Sequence, residues 1–166
     1  MKTTFTAVVI SAMLLSSAGG AFAASSFLQA SSTDEQLAGD TKPKVVSMNS
    51  TDAAKGMTNK NGVVTVSEDG NYFVMAAAQV GGKAKGQVRL WARVNGKDAD
   101  NSNTVQVISD PSFTAVLVCQ GVMELKKGDT VEMVYSATTK GLGLIVIKPA
   151  GEPVVPSMIL SAFKLD

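Results

Sequence analysis

The sequence predicts an all-β fold, a sandwich or barrel of short strands, on three observations. After the first quarter of the chain, about eight apolar segments of strand length follow one another. Breaks containing Gly or Pro separate them, and the segment at residues 87–94 alternates strictly from one residue to the next. Alternation with period two marks a strand with one face in a core, and a series of such strands argues against a βαβ arrangement.

The chain opens with Lys2, an apolar run from Ala7 to Leu15 and small residues leading to Ala21-Phe22-Ala23. That order is a signal peptide of bacterial type, residues 1–23, cleaved before Ala24. Its apolar run is shorter than the roughly 20 residues of a membrane span, and no later stretch approaches that length. The expectation is a secreted or periplasmic protein with no transmembrane segment after cleavage. Residues 24–42, rich in Ala, Ser, Asp, Gln and Thr, read as a flexible linker, and one domain fills residues 43–166.

Within that domain a short strand is expected at 44–48, a polar loop with two glycines at 51–62, and strands at 63–66 and 71–80 around the turn Glu68-Asp69-Gly70. Gly81-Gly82 ends the second of these. In 87–94, Val88, Leu90, Ala92 and Val94 take the core face, while Gln87, Arg89, Trp91 and Arg93 take the other. Asn95-Gly96 is a tight-turn dipeptide that opens a polar loop reaching Asn103. Strands at 104–108, 113–125, 130–138, 142–148 and 158–165 complete the series. In the last, Ile159 and Phe163 are assigned to the core and Lys164 to the opposite face.

The whole chain has 15 basic and 14 acidic residues and no histidine. Losing residues 1–23 removes Lys2 and no acid, so the mature chain is formally neutral. A neutral chain lacks the basic footprint that nucleic acid requires. Without histidine there is no imidazole base and no imidazole metal ligand. The acids Glu68, Asp69, Asp98 and Asp100 fall in turns, and the glycines at 81–86 lack the spacing of a phosphate-binding loop. No enzymatic function is expected. The single cysteine, Cys119, lies in an apolar run, can form no intrachain disulfide and reads as a buried thiol. Asp98, Asp100, Asn101 and Asn103 place four oxygen-bearing side chains in one loop, a weak calcium candidate without EF-hand spacing. No other cofactor is implied.

Three motifs in order carry a resemblance: Gly70-Asn71-Tyr72-Phe73 opening a strand, the run Gly121 to Val131 through Gly128-Asp129, and the closing Ser161-Ala162-Phe163. Residues 43–166 resemble the globular head of complement subcomponent q, in the tumour necrosis factor-like jelly-roll superfamily, with Ala162 where that head usually has glycine. The resemblance implies a two-sheet jelly roll of about ten strands that forms a homotrimer. No Gly-x-y repeat or heptad stalk is present, so stalk-dependent activities are not implied.

By the same resemblance, 87–94 and 130–138 lie together in an inner sheet facing the threefold axis. An exposed Trp91 would leave a large ring in water, so Arg89, Trp91 and Arg93, with Glu132 and Val134, are expected to form a trimer interface or a ligand platform. The function expected is an exported, non-enzymatic trimeric module for binding or assembly, its partner itself and a protein or glycan ligand. Alternatives are a structural subunit of an envelope, matrix or filament, with residues 24–42 docking into a neighbour, and a carbohydrate-binding module in which Trp91 or Tyr72 stacks on a sugar.

Overall fold

A strand with one apolar face needs a second layer to cover it, and here two antiparallel sheets cover each other. The structure is a computed structural model and describes residues 26–165, so the expected signal peptide lies outside the described residues. Its strands are β1 (Phe27–Ser32), β2 (Gln36–Leu37), β3 (Lys44–Val45), β4 (Ser50–Lys55), β5 (Met57–Lys60), β6 (Val63–Val66) and β7 (Gly70–Gly82). The remainder are β8 (Gly86–Val94), β9 (Lys97–Asp98), β10 (Thr104–Ile108), β11 (Ala115–Leu125), β12 (Thr130–Ala137), β13 (Leu142–Leu144) and β14 (Met158–Lys164). No described residue is helical, and the fold is the two-sheet jelly-roll sandwich that the alternation and motifs imply.

The first sheet runs β2-β13-β7-β14-β1-β4, with β11 also paired to β7. Ala78 of β7 faces both Leu117 and Met158, so β11 occupies the edge of β7 opposite β14. The second sheet runs β10-β8-β12-β6-β5, with β3 added to β12 and β9 to β8. Tyr72, Val74, Ala76, Ala78, Leu117, Cys119, Leu160 and Ala162 face inward from the first sheet against Val88, Leu90, Ala92, Met133 and Tyr135 of the second. Between the sheets, Met57, Val64, Tyr72, Leu125 and Leu160 help line an apolar void of about 10 Å³, room for no more than one water-sized sphere.

Several expectations change; the strand expected at 142–148 stops at Leu144, β9 lies within the loop expected to reach Asn103, and three further differences bear on the sheets. Residues 24–42 are not merely a linker: β1 lies there, inside the first sheet between β14 and the edge strand β4, with Leu28, Ala30 and Ser32 buried. Its local sequence has little strand propensity, and pairing with β14 and β4 supplies what propensity does not. The loop expected at 51–62 contains most of β4 and all of β5, which are polar because β4 buries almost nothing and β5 buries only Met57. In β14 the phase is reversed: Met158, Leu160 and Ala162 are buried, while Ile159 and Phe163 are 38% and 40% exposed. Lys164 turns inward at the strand end and pairs with Glu68 at 3.4 Å.

Both ends of the described chain meet at one pole of the sandwich. The Lys164 amide donates to the Ser26 carbonyl at 2.9 Å, and the Leu165 amide donates to that of Asn71 at 2.8 Å. Beside them, the Asp129 carboxylate accepts from the Lys126 amide at 2.8 Å and from the Asn95 side chain at 2.8 Å, fastening the β11–β12 turn to the β8–β9 turn. The opposite pole carries the longer connections, residues 33–43, 109–114 and 145–157.

Candidate functional site

The strand β8 and its neighbour β12 do lie side by side, with Trp91 opposite Val134 and Arg93 opposite Glu132. The expected exposure of Trp91 is not found, since the residue is only 7% exposed. Its indole N–H donates to Asp98 Oδ1 at 2.9 Å, and the same oxygen accepts from Arg93 Nε at 2.8 Å. Asp98 is directly opposite Arg93 in the β8–β9 hairpin, so a two-residue turn brings the carboxylate to the indole nitrogen. The Trp91 hydrogen bond, and then that of Arg93, hold the Asp98 carboxyl below its ordinary value. Arg89 is engaged with Gln87 at 2.8 Å, and Val134 is fully buried beside Trp91. Arg89, Trp91, Arg93, Glu132 and Val134 therefore share a face, but the chain itself already covers its apolar members.

A sugar has no platform at either aromatic named for that role. Tyr72 is fully buried, with its hydroxyl donating to the Glu68 carbonyl at 2.9 Å. In the loop proposed for calcium, Asp98 is turned to Trp91 and Arg93, and Ser102 rather than Asn101 or Asn103 makes the inward hydrogen bond, to the Ala99 carbonyl at 2.7 Å. Among the described residues no three of His, Cys, Asp and Glu gather closely enough to hold a metal ion. Cys119 is buried, its thiol donates to the Ser102 carbonyl at 3.2 Å, and burial pushes it above its ordinary value, which suppresses the thiolate a nucleophile needs.

The surface that stands out is the outward face of the first sheet. Cross-strand register sets Val122, Phe73, Phe163 and Phe27 in one row across β11, β7, β14 and β1. The rings of Phe73 and Phe163 lie 5.2 Å apart, tilted by 41°. Four residues along, past an intervening row of Gln120, Met75, Ser161 and Gln29, Val118, Ala77 and Ile159 form a second apolar row, and Val116 lies beyond it on β11. Val122 and Val116 are 61% and 58% exposed. Glu124, at one end, is the only charged side chain among the outward residues of β7, β11 and β14. Rows of β-branched and aromatic side chains are what a sheet normally turns toward another layer, and among the described residues β11 also presents an unpaired edge beside them. Sequence reasoning missed this face because β14 and β11 are apolar on both sides. The continuous run Ala115-Val116-Leu117-Val118 was its available signal.

No protein-family model matches the chain, and no curated protein matches it. Solved structures do. The crystal structure of murine APRIL at pH 5.0 matches with a TM-score of 0.61 and 14% identity, covering 84% of this chain and 98% of that one. The globular domain of zebrafish complement 1qA protein matches with a TM-score of 0.58 and 17% identity, covering 86% of this chain and 98% of that one. At such identities the likeness is one of fold.

Proposed function

We propose that this chain is an exported, non-enzymatic jelly-roll module that assembles with itself, as a homotrimer, through the outward face of its first sheet, and that it serves binding or assembly outside the cytoplasm. The observation that carries the reading is the row Phe27, Phe73, Phe163 and Val122, apolar and only partly covered by the single chain, with Phe163 and Val122 exposed. An exposed apolar patch of this kind marks an interaction surface, and the formally neutral mature chain offers little repulsion against its own copies. The stoichiometry of three and the export follow from the resemblance to the complement subcomponent-q head and from the leader at residues 1–23.

Subunit contact is proposed here rather than at Arg89, Trp91, Arg93, Glu132 and Val134, because Trp91 and Val134 need no partner to bury them. The same burial weighs against Trp91 as a ligand platform. Sedimentation of the mature chain tests the reading. The parent should run as a trimer at tens of micromolar, and Val122→Glu, which alters an exposed side chain, should run as a folded monomer. A monomeric parent, or a trimeric Val122→Glu variant, would overturn it. A structural subunit is the second reading, favoured by the position of β1, a strand near the start of the described chain that joins the edge strand β4 to β14.

A further inference from the structure

That position has a consequence for how copies can join. We infer that β1 is an exchangeable arm: a second copy of this chain can place its own Phe27–Ser32 in the slot between β14 and β4. The slot exists because β1 alone joins those strands. Among the described residues β4 pairs with nothing but β1, while β14 has β7 on its other side. Few of the arm's side chains reach the core, although its backbone pairs on both edges. Its inward side chains are Leu28, Ala30 and Ser32, one large apolar group and two small ones.

The arm also has a hinge. Thr33, Asp34 and Glu35 are exposed, and the hydrogen bonds that Thr33 and Asp34 make with Asn49 and that Ser157 donates to the Asp34 carbonyl must open for the arm to swing; immediately beyond them the chain is fastened to the body again. The Gln36 side chain donates to the Ser47 carbonyl at 2.9 Å and accepts from the Ser47 amide at 2.8 Å, and the Ala38 amide donates to the Leu142 carbonyl at 2.9 Å. Everything after the hinge can therefore keep its place when the arm swings out.

An identical strand from another copy restores every contact of β1, leaving hinge conformation and concentration to set the balance. Each copy that lends its arm forward has an open slot for the copy behind. Exchange in one direction therefore builds an open chain of subunits by strand addition rather than a closed ring. The inference rests on the reading of the protein as self-assembling, but it uses a surface other than the apolar face, so the two can fail separately.

The test uses the register Gln29 to Ser161, a directly opposed outward pair on β1 and β14, whose Cα spacing in an antiparallel ladder suits a disulfide. Gln29→Cys and Ser161→Cys are combined with Cys119→Ala and with Val122→Glu, the last to remove contact through the apolar face. Oxidation in dilute solution should give a single chain closed by an internal disulfide. Oxidation after incubation at high concentration should shift material into a ladder of covalently linked chains extending beyond three on a non-reducing gel, while either cysteine alone gives at most dimers. Locked single chains, once concentrated, should fail to form that ladder. Internal disulfides alone at every concentration, with the folded state confirmed by tryptophan emission, would overturn the exchange. A ladder from a parent that sediments as a monomer would sustain the exchange while removing the trimer.

Discussion

Truncating Leu160 and Phe163 separately weighs the two faces of one strand against each other. Leu160 is fully buried and lines the apolar void together with Met57, Val64 and Tyr72. Removing its isobutyl group enlarges a space that is already unfilled and bounded by paired strands, so little collapse can offset the loss. Leu-to-Ala changes in cores cost about 2 to 5 kcal/mol, rising with the cavity left behind, and this site belongs near 4. For a domain of this size that lowers the melting temperature by roughly 10 to 15 °C. Phe163 is 40% exposed and touches Phe73 across 5.2 Å. Its partial burial and the ring pair together are worth about 2 kcal/mol in a single chain. Denaturant titrations, run dilute enough that self-association adds nothing, should show Leu160→Ala losing about twice the stability that Phe163→Ala loses. At higher concentration the Phe163 variant should also lose assembly, which the Leu160 variant retains while folded. If dilute Phe163→Ala proved as costly as Leu160→Ala, the assignment of the two faces would be wrong.

Two further outcomes follow from single contacts. Gly62 has φ of 98°, and a Cβ there would run into the Val46 carbonyl oxygen, so Gly62→Ala should destabilise by well over 1 kcal/mol in the same titration, in contrast to the usual small gain from Gly-to-Ala in a loop. Asp98, Asp110 and Asp129 are all held below the ordinary aspartate value of 3.8, by the Trp91 hydrogen bond, the Ser112 amide and the Lys126 amide respectively. Their contribution is complete above that value and disappears as pH falls through the depressed folded values. Acid titration followed by the emission of Trp91, the only tryptophan, should show a loss of stability in that range that Asp98→Asn partly removes. Identical acid profiles for parent and variant would exclude Asp98 as a contributor.

The sandwich was legible because period-two alternation is a local property. Val88, Leu90 and Ala92 are fully or almost fully buried where the pattern of 87–94 places them, and β6, β10 and the start of β12 fall where their turns confine them. Other features depend on partners distant in sequence. Nothing in Phe27-Leu28-Gln29-Ala30-Ser31-Ser32 reveals that β14 will pair with it from the far end of the chain. Trp91 looked like a ring in water because its partner, Asp98, reaches it only once β9 folds back on β8. Residues 158–164 offer Met158, Leu160 and Ala162 on one side and Ile159 and Phe163 on the other, so hydrophobicity cannot choose the inward side. That ambiguity is itself the mark of a strand between two apolar surroundings, one the core and the other the open face. The candidate site was thus hidden by the pattern that would have disclosed it.

The seam between Ser26 and Lys164 gives the two poles of the molecule different freedoms. Where the first and last strands are stitched together, in a chain trimmed to the described residues, a short peptide joining Ser26 to Leu165 would close a loop without moving a strand. A new opening could then be cut at the far pole, in residues 109–114 or 145–157, which contain no named strand. Such a permuted chain would begin elsewhere and would hold Phe27–Ser32 by both ends, turning the first strand from a terminal segment into an internal one.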